Sequence, residues 1–194
     1  CPLPGAGGTP MKKLLLLAYY FPPHDSPGAR RPGGLARYLP EQGWEAVVVT
    51  PHQAGWAAAM EDRIVPTGDH DLMQAWKRRL GPAAGLLGWV KPWIGIPDRQ
   101  AGWIPHAVRG GMEAARGGGL CTILSTSAPF SAHVAARHLK ARLGFPWVAD
   151  LRDLWHENHN RATLGHGPLR GALDAFIEAK TLGAADALVT VSEP

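Results

Sequence analysis

Two acids and one arginine follow a short apolar run in the last third of the chain. The run covers residues 147–149 after the breaker at 144–146, and Asp150, Arg152 and Asp153 come directly after it. The run predicts a buried strand, and ligands of open parallel sheets bind beyond the carboxyl ends of the strands. Such a cluster can deprotonate a hydroxyl or hold a phosphate. The alternative is that Asp150 caps a turn while Arg152 and Asp153 pair at the surface.

A glycine-rich, basic segment follows the first predicted strand. Gly28, Gly33 and Gly34 stand beside Arg30 and Arg31. Glycines at a strand-to-helix junction let the backbone approach a phosphate, and the helix N-terminus adds partial positive charge. The pattern is not G-x-G-x-x-G, and the second predicted strand ends without an acid, so a dinucleotide site is disfavoured. A phosphate site and a surface loop both fit this segment.

Hydroxyls and one imidazole stand at another predicted strand end. Ser127 and Ser131 are candidate N-caps for the helix that follows. His133 could serve as a general base near neutral pH if it faces the same crevice as Asp150. The alternative is a polar surface residue early in a helix.

Several histidines crowd the segment after residue 155. His156, Glu157, His159 and His166 do not form an H-E-x-x-H motif, and nothing in their spacing fixes a ligand geometry. We therefore predict no metal site.

The elements that must position these residues alternate between strands and helices. Predicted strands cover 13–19, 46–50, 63–66, 120–125, 146–150 and 187–191. Predicted helices cover 35–42, 71–80, 104–116, 169–182, and a segment from Ser127 or Ser131 to about 143. A loop is expected at 20–34. The alternation predicts one α/β domain with a doubly wound, mainly parallel sheet and helices on both faces.

Composition narrows the class of protein. The chain has 194 residues, and 45% of them are hydrophobic, which disfavours global disorder. Its net charge of +4 suits an anionic partner without requiring nucleic acid. No apolar run approaches the ~20 residues of a membrane helix. Cys1 and Cys121 give no expected disulfide, so a cytoplasmic location is the default. Residues 1–10 are expected to be a disordered tail or upstream remnant.

The segment Trp76–Trp103 mixes tryptophans with lysines and arginines. Such a composition suits the interface of an anionic bilayer. The alternative is that the tryptophans pack in the core while the cations are solvated.

Seven stretches, taken in order, carry a family resemblance. They are YFPP (20–23), GGLARYL (33–39), GWEAVVVT (43–50), SAPFSAH (127–133), PWVADLRDLW (146–155), Glu178, and AADALVTVS (184–192). In this order and spacing the chain resembles the N-terminal, acceptor-side domain of family-4 glycosyltransferases with the GT-B fold. That fold consists of two Rossmann-like domains that face a cleft.

The resemblance implies roles for eight residues. We expect catalytic roles for Asp150 and His133, acceptor contacts from Ser127, Arg152 and Asp153, and donor-phosphate contacts from Gly33, Gly34 and Arg31. The Ser-Ala-Pro turn stands where some relatives carry a histidine, which leaves the role of His133 open.

The resemblance also implies a retaining hexosyltransferase that moves a sugar from a nucleotide sugar to a glycan or lipid-linked acceptor in surface polysaccharide synthesis. No metal or other cofactor is expected. We expect residues 11–194 to form this domain, truncated at its C-terminal end and inactive without the donor domain that the chain lacks. A place at the inner face of the plasma membrane would follow from a lipid-linked acceptor. The rivals are a non-catalytic phospholigand-binding module and a peripheral membrane assembly protein.

Overall fold

The computed structural model describes residues 11–51, 60, 62–81, 85, 93–153, 155 and 167–191. The expected tail at 1–10 and the histidine cluster at 156–166 lie outside the described residues. All bounds and contacts given below belong to the described part of the chain.

Six parallel strands form the sheet. They are β1 (Lys12–Leu17), β2 (Trp44–Pro51), β3 (Ile64–Thr67), β4 (Leu120–Thr126), β5 (Trp147–Leu151) and β6 (Ala187–Thr190). Their order across the sheet is β3-β2-β1-β4-β5-β6, and every adjacent pair is parallel. This is the strand order of a Rossmann-like doubly wound fold, so the predicted fold class is confirmed.

Helices cover both faces of this sheet. They are α1 (Pro27–Tyr38), α2 (Leu72–Leu80), α3 (Ile104–Arg116), α4 (Ser131–Leu143) and α5 (Pro168–Leu182). Because successive strand side chains point to opposite faces, β1 contributes to two cores. Leu15 and Leu17 pack with residues of α3 and α4, whereas Leu14 and Leu16 pack with residues of α1 and β2.

Helix α1 begins eight residues before its predicted start at Leu35. Pro27 occupies its first turn, where a fixed φ and a missing N–H are tolerated, and the helix continues through Pro32. A Cβ atom on Gly33 would stand 2.6 Å from Cγ of Pro22, so this glycine allows the helix to lie against the preceding segment. The loop prediction for 20–34 is therefore wrong in its second half, because packing outweighs the helix-breaking tendency of these residues.

Asp186 joins the last strand to the rest of the sheet. Its carboxylate accepts hydrogen bonds from Nζ of Lys140, 2.6 Å away, and from the backbone N–H of Trp147, 2.7 Å away. The sequence motif around Asp186 therefore has a structural role. Strand β6 pairs with β5 alone among the described strands, and Leu188 and Val189 are exposed on it.

The turn before α3 is packed tightly against the segment that follows β3. A Cβ atom on Gly102 would overlap the backbone carbonyl oxygen of His70. We predict that Gly102→Ala lowers the free energy of unfolding by about 2 kcal/mol or more, because neither backbone can move without repacking. Gly34→Ala is the matched control, since no heavy atom of a described residue lies within 4 Å of its Cβ position in α1. That control should raise stability by about 0.5–1 kcal/mol through helix propensity alone. Urea unfolding of both variants measures the difference, and equal stabilities would contradict the prediction.

Candidate functional site

The carboxyl ends of β4 and β5 meet the N-terminal half of α1. Thr126 and Asp150 are register partners at the ends of these two strands. Helix α1 follows β1, the neighbour of β4, so its first turns face the same edge of the sheet. This edge is where ligands of doubly wound folds bind.

A bidentate ion pair connects α1 with β5. Arg31 donates from Nε to Oδ2 of Asp150 and from Nη2 to Oδ1, both at 2.7 Å. Thr126 donates from Oγ1 to Oδ2 of the same carboxylate at 3.0 Å. The Asp150 side chain is 2% exposed, whereas that of Arg31 is 37% exposed. Both oxygens of Asp150 are therefore engaged, and the guanidinium is the part of the pair that solvent reaches.

Ser127 supports the turn after β5. Its backbone N–H donates to the carbonyl of Asp150 at 3.0 Å, and its Oγ accepts from the backbone N–H of Arg152 at 3.3 Å. The side chain of Ser127 is buried, so its hydroxyl serves this turn. Asp153 is exposed beside it.

The first turn of α1 carries an uncompensated positive end. Ser26 occupies the N-cap position without making a side-chain cap bond, and no acid lies in the first turn. Nη1 of Arg152 would stand 3.4 Å from a Cβ atom on Gly28, so this guanidinium lies over the first turn. Arg31 projects from the next turn toward Asp150. Two cations therefore flank the helix end that attracts anions.

Gly33 and Gly34 lie within α1, away from its N-terminus. Gly33 contacts Pro22, and Gly34 lines an open groove of about 670 Å³ with Arg30 and Arg37. The glycine nearest the helix start is Gly28. The expectation that Gly33 and Gly34 form the strand-to-helix loop is therefore wrong, because that loop ends at residue 26.

His133 lies in the core beneath the crevice. Its side chain is fully buried, its Nδ1 is 2.7 Å from Oγ of Ser125, and no group in the described part of the chain is hydrogen-bonded to its Nε2. The same Ser125 hydroxyl accepts the indole N–H of Trp147 at 2.8 Å. Burial lowers the pKa of His133 from 6.5 to about 4, although the charge on Asp150 opposes this. The expectation that His133 faces the crevice is wrong, because apolar and aromatic neighbours enclose the first turn of α4.

A distant carboxylate supports the start of α4. The backbone N–H of Ser131 donates to Oδ2 of Asp98 at 2.9 Å, and its hydroxyl donates to Oδ1. Neither serine predicted as an N-cap makes a side-chain cap bond, since Phe130 occupies that position. Burial raises the pKa of Asp98 above its ordinary value, while the hydrogen bonds from Ser131 oppose the rise.

A second polar group lies at the ends of β1 and β3, and the sequence prediction did not include it. Tyr19 donates its hydroxyl to Oδ2 of Asp69 at 2.6 Å. His70 follows Asp69, and its ring is 4.5 Å from that of His106 in an edge-to-face contact. The position of Asp69, two residues after the end of β3, could have indicated this polar group. The sequence pattern of that short strand, however, is weak.

Among the described residues, no group of three or more His, Cys, Asp or Glu side chains could hold a metal ion. The residues His156, Glu157, His159 and His166 lie outside the described ranges. The prediction that the protein needs no metal stays a prediction.

The Trp76–Trp103 segment is divided between surface and core. Trp103 is fully buried, whereas Trp93 is 39% exposed and the basic last turn of α2, Lys77 to Arg79, is exposed. Residues 82–84 and 86–92 lie outside the described ranges. No helix in the described part of the chain is both long enough and apolar enough to span a bilayer.

Comparison with known proteins identifies the fold. No protein-family model matches the sequence, and no curated protein matches it. A solved structure of SsfS6, a glycosyltransferase of Streptomyces sp. SF2575, superposes with a TM-score of 0.51 and 14% sequence identity. The match covers 94% of this chain and 51% of that one, so this chain spans about half the length of the solved glycosyltransferase. The shared architecture is the α/β sheet described above.

Proposed function

We propose that this chain is the acceptor-side half of a GT-B glycosyltransferase, which transfers a sugar from a nucleotide sugar to a glycan or lipid-linked acceptor. The fold similarity to one half of a glycosyltransferase supports the proposal. The observation that carries it is the ion pair of Arg31 with Asp150, at the carboxyl edge of the sheet and beside the N-terminus of α1.

The donor diphosphate would bind at the start of α1. Arg31 presents a partly exposed guanidinium there, and Arg152 lies over Gly28. Cations and helix N-terminal amides stabilise phosphate without a metal ion. In this proposal Gly28 takes the role that the family resemblance implies for Gly33 and Gly34.

Asp150 would act as a positioning residue for Arg31. Its two oxygens hold the guanidinium from one side, which leaves the opposite edge of Arg31 directed away from the carboxylate. During transfer, the bond from the sugar to the diphosphate oxygen breaks and a bond to the acceptor oxygen forms. The negative charge that develops on the leaving diphosphate is stabilised by preorganised cations of this kind. The acceptor hydroxyl passes its proton to an oxygen of the leaving diphosphate in the same process, so charge and atoms balance.

A charge-removing variant of Arg152 tests the donor site. In the whole protein that carries this chain, we predict that Arg152→Ala lowers kcat/KM for the nucleotide sugar about tenfold, since it removes one charge-assisted contact to phosphate. Arg116→Ala, in the last turn of α3 at the other edge of the sheet, is the matched control and should leave transfer unchanged. Steady-state transfer kinetics with varied donor decide the result. Equal effects of the two variants would remove Arg152 from the donor site.

The second candidate function is a non-catalytic phospholigand-binding module. Full engagement of Asp150 and burial of His133 favour it, because neither side chain is free to accept a proton from a ligand. Binding of UDP or pyrophosphate without any transfer by the whole protein would select this candidate. The retaining outcome remains a proposal that rests on the family resemblance. The cytoplasmic location is a proposal from the cysteine content, and the contact with membranes is one from the composition of the Trp76–Trp103 segment.

A further inference from the structure

Asp69 is an exposed carboxylate with one oxygen already oriented. Tyr19 donates to Oδ2 of Asp69 at 2.6 Å, and burial together with this bond raises the pKa of the Tyr19 phenol. The phenol is therefore neutral at physiological pH and acts as a donor. No other described residue donates to Asp69, so its Oδ1 is open to a ligand.

Buried contacts hold the tyrosine in place. The ring of Tyr19 makes an edge-to-face contact with Trp103 at 5.3 Å, and Trp103 donates from Nε1 to Oγ1 of Thr67 at 2.8 Å. Thr67 in turn donates to the carbonyl of Thr50 at 3.1 Å. Because Trp103 and Thr50 are fully buried, the orientation of Asp69 is set by the core.

The backbone of the segment after β3 is fixed as well. Gly102 allows the carbonyl of His70 to approach the turn before α3, and a Cβ atom on Gly68 would stand 3.1 Å from Nδ1 of His106. His70 and His106 are in ring contact beside Asp69. Burial, His70 and Arg109 lower the pKa of His106, so its imidazole is neutral at physiological pH and hydrogen-bonds without charge.

Tyr20 connects this group to the start of α1. Its ring contacts that of Tyr19 at 5.0 Å, and its Cδ2 would stand 3.0 Å from a Cβ atom on Gly28. The same position on Gly28 faces Arg152. The two parts of the carboxyl edge are therefore adjacent, so ligands bound at the two parts would lie side by side.

We propose that Tyr19, Tyr20, Asp69, His70 and His106 form a sugar-binding subsite that holds the acceptor glycan, which deepens the proposed function and rests on it. A sugar presents hydroxyls that donate to a carboxylate and C–H faces that pack on aromatic rings, and this group of residues offers both. The carboxylate disfavours an anionic ligand, and the exposed polar groups disfavour an apolar one. The acceptor glycan thus lies over β1 and β3, beside the phosphate end of α1.

The test is direct binding of simple sugars to the chain. Saturation-transfer NMR is recorded with the methyl glycosides of glucose, galactose and mannose. We expect saturation of the ring protons of at least one glycoside by the wild-type chain. Asp69→Asn keeps an oxygen for Tyr19 and places an amide donor where the free carboxylate oxygen was, so it should weaken binding of that glycoside about tenfold or more.

Asp71→Asn is the matched control. Asp71 lies two residues further along the same segment, and its Oδ1 accepts the N–H of Gln74 at the start of α2, which asparagine can also do. This variant should bind the glycoside as the wild type does. Absence of saturation for all three glycosides, or equal binding by Asp69→Asn, would overturn the subsite. Circular dichroism of both variants confirms that they fold.

A second arm separates this inference from the proposed function. UDP binding is measured by calorimetry on the same chain with Arg152→Ala. Loss of UDP affinity with unchanged glycoside binding is the expected result. If the glycoside binds and depends on Asp69 while Arg152→Ala changes neither UDP binding nor transfer, the subsite stands and the donor-site proposal fails. If UDP binding depends on Arg152 but no glycoside binds, the subsite fails alone.

Discussion

Replacing Arg31 by alanine should lower the free energy of unfolding by about 3 kcal/mol. The variant leaves the Asp150 carboxylate, 2% exposed, with the Thr126 hydroxyl as its only side-chain donor among the described residues. Removing one partner of a buried ion pair costs about 3–5 kcal/mol because the remaining charge stays uncompensated. We take the lower end of that range, since Arg31 is itself 37% exposed and is partly hydrated in the folded state. Urea unfolding of the chain measures the loss.

Two further variants separate the ion pair from a general effect of charge. Arg30→Ala removes an exposed neighbouring cation and should change stability by less than about 0.5 kcal/mol. Arg31→Ala combined with Asp150→Ala removes the buried charge as well, so the double variant should recover part of the loss. A loss for Arg31→Ala no larger than that for Arg30→Ala would contradict the prediction.

The free energy of unfolding should fall steeply as the pH drops from 6.5 toward 4, the range in which His133 binds a proton in the unfolded chain but not in the folded one. Burial lowers the pKa of this histidine from 6.5 to about 4, so the unfolded chain binds a proton in this range and the folded chain does not. The contribution of neutral His133 to stability is complete above pH 6.5 and is lost progressively as the pH falls toward 4. The expected loss from this group is about 3 kcal/mol between pH 7 and pH 4. Urea unfolding at a series of pH values measures it.

The control for this pH dependence is a histidine on the same helix. His133→Asn keeps an acceptor for the Ser125 hydroxyl and cannot titrate, so its stability should vary less with pH between 7 and 4. His138→Asn changes an exposed histidine further along α4 whose pKa burial and Arg142 also lower, so it should remove a smaller part of the loss than His133→Asn does. The variants are compared by the change in the free energy of unfolding per pH unit. Its absolute value is not compared, because His133→Asn also changes packing. Equal slopes for the wild type and His133→Asn would show that other groups cause the loss.

Local patterns were sufficient to predict the sheet and several helices. The unbroken leucine run of β1 is typical of a strand buried on both faces, and Leu14 to Leu17 are buried in the structure. Helix α3 has the predicted bounds, Ile104–Arg116. The helix predicted over 35–42 ends where the 3₁₀ turn Leu39–Gln42 ends in the structure, because Gly43, with φ of 74°, tolerates the left-handed conformation that follows. These features depend on neighbours within one turn or one strand.

Contacts between distant residues were beyond local patterns. Arg31 and Asp150 are 119 positions apart, and Asp98 reaches Ser131 across 33 positions. Each partner alone has an ordinary surface interpretation. The burial of His133 likewise depends on aromatic residues that the fold brings around α4. The start of α1 was missed because the contact of Gly33 with Pro22 is also tertiary.

The single hydroxyl of Ser125 constrains how this sequence can diverge. It serves the ring nitrogen of His133 and the indole nitrogen of Trp147 at once, and all three side chains are fully buried. Loss of the Ser125 hydroxyl alone would leave both buried nitrogens without this partner. Loss of only one of the nitrogens would leave the hydroxyl with its other hydrogen bond. The effects on stability of substitutions at positions 125, 133 and 147 are therefore expected not to be additive. A lineage that replaces one of them passes through a less stable intermediate unless the other two change with it.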